Sequence, residues 1–264
     1  MQKRCKKRVV QITTSKYLDF LSKFGIGGAH PGGFNLSKVI LQAEEIHRTS
    51  NILDVGCGTG QTSAYLASQY GAKVTGMDIN PIMIEKAKKR ISRHQLPVEI
   101  IQGSIEKCSL KDGQFDFVIS ESVLAFVNKP RALKEIFRLL KKGGRFIANE
   151  LTVNHSLGAT EKEEIKKFYG IDSVLMEKDW IALCEQTGFK HIKVHPQQNF
   201  PFHQNQSLPE FVHSENIEPD LFNIMLQHFN IMEKYRGALD YRIFTCTKKD
   251  ETSISRGVLS PTDC

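Results

Sequence analysis

The residues best suited to chemistry are three glycines, an aspartate and two short polar steps that follow apolar runs. The segment Leu53-Asp54-Val55-Gly56-Cys57-Gly58-Thr59-Gly60-Gln61-Thr62 sets glycines 56, 58 and 60 between an apolar strand pattern and a helical one. Glycine lets a backbone turn tightly and pass close to a ligand. Asp78 ends the run GMDIN, roughly 20 residues beyond the turn, where a carboxylate can accept hydrogen bonds from ribose hydroxyls. A dinucleotide fingerprint needs Gly or Ala as its third small residue; position 61 is Gln, and no Walker lysine follows. A pyrophosphate cradle is therefore disfavoured. Gly103-Ser104-Ile105 and Ser120-Glu121 close two more apolar runs. Four strand ends with close-approach or acceptor chemistry, in this order, are more specific than any one of them.

The elements that must position these residues follow from periodicity. Strands are expected over 51–55, 73–78, 98–102, 115–120, 145–151, 189–195 and 241–247. Helices are expected over 61–70, 81–94, 130–142 and 178–187. In the 130–142 segment Leu133, Ile136, Phe137 and Leu140 recur at helical spacing, with Asn128 before it and Gly143-Gly144 after it as caps. Strands alternating with helices make βαβ units and a mostly parallel sheet, whose ligands bind beyond the carboxyl ends of the strands. Outside this core lie an N-terminal part with a Gly-rich stretch (25–33) and a helix near 36–47, a long connection over 152–176, and an insertion at 196–239 carrying a helix over 218–236. The tail from 249 is read as loose.

The composition is that of an ordinary globular protein: of 264 residues, 40% are hydrophobic and 25% charged, which excludes collagen-like and wholly disordered chains. No apolar run reaches the roughly 18–20 residues that span a bilayer, and the basic N-terminus lacks the apolar core of a secretory signal. A cytoplasmic protein with no membrane partner is expected. Five of the seven net positive charges come from Lys3, Arg4, Lys6, Lys7 and Arg8. The rest of the chain is nearly balanced, which argues against nucleic acid as a partner. The cluster Lys86, Lys88, Lys89, Arg90 and Arg93 is read as a solvated helix face. Six scattered cysteines with no CxxC pair, and nine histidines with no metal-binding spacing, give free thiols and no metal site.

With these motifs together, the chain resembles the class I S-adenosylmethionine-dependent methyltransferases. LDVGCGTG matches the family's first motif, (D/E)xGxGxG, and ALKEIFRLLKKGGRF looks like its helix and fifth strand. The resemblance runs from about residue 36 to 248. It implies a Rossmann-like, doubly wound, seven-stranded α/β sheet, mostly parallel with an antiparallel last strand and helices on both faces. The domain organisation expected is a possible lid over 1–35, a methyltransferase domain over 36–248 with a cap-like insertion at 196–239, and a tail over 249–264. The resemblance also implies that Gly56, Gly58 and Gly60 wrap the methionine and ribose-facing side of S-adenosylmethionine. Asp54 would hold the loop and the amino group, Asp78 the ribose hydroxyls, and Ile79 the adenine face. Gly103, Ser104 and Ile105 would meet the adenine edge, with Ser120 and Glu121 near the methionine and the substrate. Position 104 is often Asp in the family; Ser104 accepts more weakly.

The sulfonium already activates its methyl group, so the protein's task is alignment, with a base if the nucleophile is protonated. Candidate bases or anchors are His30, Glu121, Glu150, His155 and His203, with Tyr17 as a possible cofactor contact. The insertion, with Phe200, Phe202, Phe211 and Phe222, could roof a closed pocket for a small-molecule acceptor. Two alternatives stand beside that reading. One is a nucleic-acid methyltransferase, although Ser120-Glu121-Ser122-Val123 lacks the (N/D)PP(Y/F) motif of many base methylases. The other is a non-catalytic S-adenosylmethionine-binding module acting as a sensor or partner.

Overall fold

A computed structural model describes residues 15–196 and 210–249. Seven strands form one sheet: β1 (Asn51–Val55), β2 (Lys73–Asp78), β3 (Val98–Gln102), β4 (Phe115–Glu121), β5 (Leu140–Val153), β6 (Lys190–Pro196) and β7 (Leu239–Thr247). Their order is β3-β2-β1-β4-β5-β7-β6. β1 pairs in parallel with both β2 and β4, β4 with β5, and β2 with β3. β7 runs antiparallel to β5 and β6. This is the sheet the resemblance implied.

Strand alternation sends side chains to opposite faces, and each face has its own core. Leu53 and Val55 join Leu133, Ile136, Phe146, Trp180 and Phe244 on one side, beneath α5 (Lys129–Leu139) and α7 (Glu177–Thr187). Ile52 and Ile119 join Leu41, Leu66 and Val74 on the other, beneath α2 (Gly33–Gln42) and α3 (Gln61–Tyr70). α4 (Pro81–Arg93) follows β2, its Pro81 in the first turn and the Asn80 side chain accepting from the Ile82 amide. A third core lies off the sheet. It joins α1 (Lys16–Phe24), α6 (Ala159–Tyr169) and α8 (Asp220–Lys234) through Tyr17, Phe20, Phe24, Ile165, Tyr169, Leu221, Ile224 and Ile231. These three helices cap the carboxyl end of the sheet.

Differences from the sequence expectations have local causes. α5 stops at Leu139 because Leu140, fully buried, turns extended and pairs with Phe115. Gly143 and Gly144 thus fall inside β5 rather than capping the helix. The 152–176 connection contains α6, started by Glu161, whose carboxylate accepts from the Gly158 amide at 2.7 Å. α1 was not expected, yet Ser15 caps it by accepting from the Leu18 amide. Lys86 and Arg90 do not belong to a solvated face. Lys86 is buried and its ammonium donates to the carbonyls of Ser22 and Lys23 at the end of α1, at 2.7 and 3.1 Å. Arg90 donates to the Thr59 carbonyl at 2.8 Å. Phe200, Phe202 and His203 lie outside the described residues, as do Cys5 and Cys264. Among the described residues no helix is long and apolar enough to cross a membrane.

Candidate functional site

Strand order reverses between β1 and β4, and a crevice opens there beyond the carboxyl ends of the strands. It is a cavity of about 770 Å³. The glycine turn forms its floor. The amides of Gly56 and Cys57 both donate to the Met77 carbonyl, at 2.7 and 3.0 Å. Gly56, Gly58 and Gly60 have φ of 66°, 53° and 75°, the left-handed region that favours glycine. Their surroundings differ. A Cβ on Gly56 would stand 2.2 Å from Val123 Cγ2, whereas on Gly58 it would meet nothing nearer than a carbonyl at 4.0 Å. Gly58 therefore faces open space. A Cβ on Gly60 would stand 3.1 Å from that of Ala87, so this glycine lets α3 and α4 approach.

Carboxylates border the cavity at Asp54, Asp78, Glu106, Glu121 and Asp240. Asp78 accepts from the amides of Gly58 (2.9 Å) and Asn80 (2.8 Å); burial raises its pKa against the pull of those bonds. Asp54 lies deeper and accepts from the Ser63 hydroxyl at 2.5 Å. Burial, aided by the charges of Glu121 and Asp78, pushes its pKa up to about 7. Gly76 makes that bond possible, since a Cβ there would stand 2.9 Å from Ser63 Oγ. Beside Asp78, Ile79 presents a 42% exposed side chain to the cavity. With Gly103, Ser104 and Ile105 nearby, this chamber combines an apolar wall with acceptors, which suits a flat ring joined to a hydroxyl-bearing group.

Glu121 gathers the loop between α1 and α2 onto the sheet. It accepts from Ser37 of α2 (2.5 Å) and Thr62 of α3 (2.8 Å). His30, which lines the cavity, has Nε2 3.2 Å from Ser37 Oγ and 3.5 Å from Glu121. Asn149 Nδ2 approaches His30 Nδ1 at 3.3 Å and donates to the Pro31 carbonyl at 2.9 Å. One arrangement fits these distances: Asn149 donates to Nδ1, Nε2–H donates to Ser37, and Ser37 donates to Glu121, with Asn149 Oδ1 left buried and unpartnered among the described residues. Both ring nitrogens are then engaged, as in a latch.

The other half of the cavity lies under the helical cap. Tyr17, Phe20, Phe126, Tyr169, Met225 and His228 line it. Tyr17 meets Tyr169 edge-on, with ring centroids 4.8 Å apart. Tyr169 Oη lies 3.1 Å from His228 Nδ1. Burial lowers the His228 pKa and raises those of both tyrosines, so the trio is uncharged at neutral pH. No lysine or arginine is among the described residues lining the cavity.

Of the residues singled out in the sequence, Asp54, Gly56, Gly58, Asp78, Ile79, Gly103, Ser104, Ile105, Glu121, His30, Tyr17 and Phe211 border this space. Gly60, Ser120, Glu150, His155 and Phe222 do not. Ser120 points into the sheet and donates to Glu150 at 3.1 Å. Glu150, fully buried, also accepts from the amides of Val123 and Leu124 and braces the turn after β4; burial raises its pKa to about 7. His155 is exposed. Residues the sequence reading missed are Ser37, Thr62, Tyr169, His228 and Ser122. Ser122 is a non-glycine at φ 58°, with a buried hydroxyl lacking a hydrogen-bond partner at the cavity wall. Backbone of that kind concentrates at functional sites. The helical pattern Tyr17, Phe20, Leu21, Phe24 was the available signal for α1; nothing local marks the others.

Comparison with known proteins agrees with this geometry. Residues 53–148 match the family model described as a methyltransferase domain. The chain is 36% identical over 235 residues to an uncharacterized methyltransferase of Bacillus subtilis, YodH, covering 89% of this chain and 100% of that protein. It is 27% identical over 184 residues to phosphoethanolamine N-methyltransferase 1 of Zea mays, covering 69% of this chain but only 36% of the maize protein. Among solved structures, phosphoethanolamine N-methyltransferase 2 of Haemonchus contortus, in complex with S-adenosyl-L-methionine, superposes with a TM-score of 0.71 at 19% identity. That match covers 89% of this chain and 57% of the nematode chain.

Proposed function

This chain belongs to the class I S-adenosylmethionine-dependent methyltransferases, and from that premise we propose that it methylates a small, largely apolar acceptor without a phosphate group. The observation that carries this reading is one continuous cavity. The glycine turn and Asp78 lie at one end, and at the other an aromatic chamber whose described residues include no lysine or arginine.

The residues fit the cofactor. Gly58 opens onto free space, Ile79 offers an uncovered apolar face, and the buried oxygens Gln61 Oε1 and Ser122 Oγ border the cavity without partners. Gly56, Gly58 and the Thr59 backbone would hold the methionine part, Asp78 the ribose hydroxyls, and Ile79, Ser104 and Ile105 the adenine. Bound S-adenosylmethionine supplies a methyl group already activated by a positively charged sulfur. Asp54, Asp78 and Glu121 give the chamber the negative potential that favours such a cation. The His30 latch and the helical cap exclude water and fix the acceptor. Orientation of this kind can be equivalent to effective molarities of roughly 10⁵–10⁸ M.

If the acceptor atom carries a proton, His228 is the group we assign to receive it. With Nδ1–H donated to Tyr169, Nε2 keeps a lone pair, and the lowered pKa leaves the ring neutral at pH 7. Phosphate recognition calls for cations or bidentate arginine, and this lining supplies neither.

The test is methyl transfer from labelled S-adenosylmethionine into a metabolite extract, fractionated by charge. Label in uncharged, solvent-extractable products, lost in His228→Gln while cofactor binding persists, is expected. Label in phosphorylated products, or none despite tight cofactor binding, would refute the acceptor class.

A further inference from the structure

Gln61, the first residue of α3, has its two amide atoms in different surroundings. Nε2 donates to Glu210 Oε2 at 3.2 Å. Oε1 is buried at a residue lining the cavity and has no hydrogen-bond partner among the described residues. A buried acceptor left without a donor is destabilising, and one in a native site calls for a cause.

Glu210 fixes which amide atom faces the cavity. A side-chain amide can be turned end for end, but the reversed form would set Oε1 against a carboxylate, two acceptors with no proton between them. Glu210 is itself held by Arg90, whose Nη2 donates to the same Oε2 at 2.7 Å. Arg90 in turn donates from Nε to the Thr59 carbonyl at 2.8 Å. The run of contacts Thr59–Arg90–Glu210–Gln61 therefore begins and ends beside the glycine turn. Backbone closes over it: the Gly27 amide donates to the Glu210 carbonyl at 2.8 Å, and the Val212 amide to that of Gly25 at 2.9 Å. A Cβ on Gly27 would stand 2.8 Å from Gln61 Oε1, so glycine here lets the loop pass close over that oxygen.

The carboxylates nearby already have donors. Glu121 takes Ser37 and Thr62, Asp54 takes Ser63, and Asp78 takes two amides. Gln61 Oε1 is the acceptor left over, in the first turn after the glycines, beside the place assigned above to the methionine part of the cofactor. That part carries one donor group, an ammonium.

We propose that Gln61 Oε1 accepts a hydrogen bond from the methionine ammonium of S-adenosylmethionine, and that Glu210 is the positioning residue that holds the amide in this sense. The inference rests on the function proposed above. It adds to that site a contact set by a residue 149 positions further along the chain.

The test is titration calorimetry of the full chain with three compounds. They are S-adenosylhomocysteine, its analogue lacking the α-amino group, and 5′-methylthioadenosine, which lacks the whole amino-acid end. Gln61→Leu should weaken S-adenosylhomocysteine roughly ten- to a hundredfold, as loss of a hydrogen bond to a charged group does, and leave the other two compounds unchanged. Glu210→Ala, which spares the backbone pairing with Gly27, should show the same selectivity to a smaller degree. A variant that folds poorly would weaken all three compounds alike, so selectivity is the readout. Unchanged S-adenosylhomocysteine affinity in Gln61→Leu, or an equal loss for the analogue without the amino group, would overturn the ammonium contact. A Glu210→Ala variant that binds as the wild type does, or loses all three compounds equally, would overturn the positioning role. Wild type that binds none of the three would overturn the cofactor reading itself, and this inference with it.

Discussion

Cofactor affinity should depend on pH through Asp54. Its carboxyl sits in the floor of the cavity with a pKa of about 7, raised by burial and by the neighbouring Glu121 and Asp78. A cationic ligand in that chamber favours the ionised form, so it must lower the Asp54 pKa and release protons on binding. With the free value at about 7 and the bound value well below it, affinity for S-adenosylmethionine falls about tenfold from pH 8 to pH 6, or about 1.4 kcal/mol. Proton release at pH 7 should approach half a proton from this group. Titration calorimetry at pH 6, 7 and 8, in two buffers of different ionisation enthalpy, measures both quantities. Asp54→Asn should bind more weakly at pH 8 and lose this component of the pH dependence, and the comparison subtracts any titration of the ligand itself. An Asp54→Asn profile parallel to that of the wild type, or tighter wild-type binding at pH 6, would refute the reasoning.

The remaining predictions concern the residues that shape the site. Glu150, at an ordinary value of 4.5 when unfolded and about 7 when folded, contributes stability that is full below pH 4.5 and lost as pH rises through 7. Glu150→Gln keeps the acceptor for Val123 and Leu124 without that loss. Urea unfolding should therefore move in its favour by about 2–3 kcal/mol between pH 5 and pH 8, and a pH-independent gap would contradict this. Gly56→Ala, at φ 66° with a Cβ 2.2 Å from Val123, should cost about 1–3 kcal/mol of stability. In calorimetry it should also abolish cofactor binding in the fraction that stays folded. Lys86→Met removes the ammonium that holds the end of α1. Hydrogen exchange should then accelerate in α1 while β1 and β4 keep their protection.

Much of the core was readable because its signals are local. The strands before each chemical residue are short apolar runs, the glycines at 56 and 58 occupy backbone that favours them, and Asn80-Pro81 starts α4 as capping chemistry requires. What escaped the sequence was set by tertiary contact. Leu140 reads as the last apolar position of a helix, yet its pairing with Phe115 makes it a strand residue. Lys86 reads as solvated, yet it reaches two carbonyls of an element some sixty residues earlier in the chain. Ser120 and Glu150 lie at or near the correct strand ends but point into the sheet, where Ser120 donates to Glu150. His228 and Tyr169 come from separate helices, and no spacing links them before the cap folds.

Whether the turn at 56–60 and the carboxylate at 78 grip an adenosine-bearing methyl donor is decided by a crystal structure grown with S-adenosylhomocysteine. The ribose hydroxyls should lie on Asp78 and the adenine against Ile79 and Ile105, with the sulfur directed toward the Tyr17–Tyr169–His228 chamber. The same compound bound elsewhere, or absent from the crevice at saturating concentration, would contradict it.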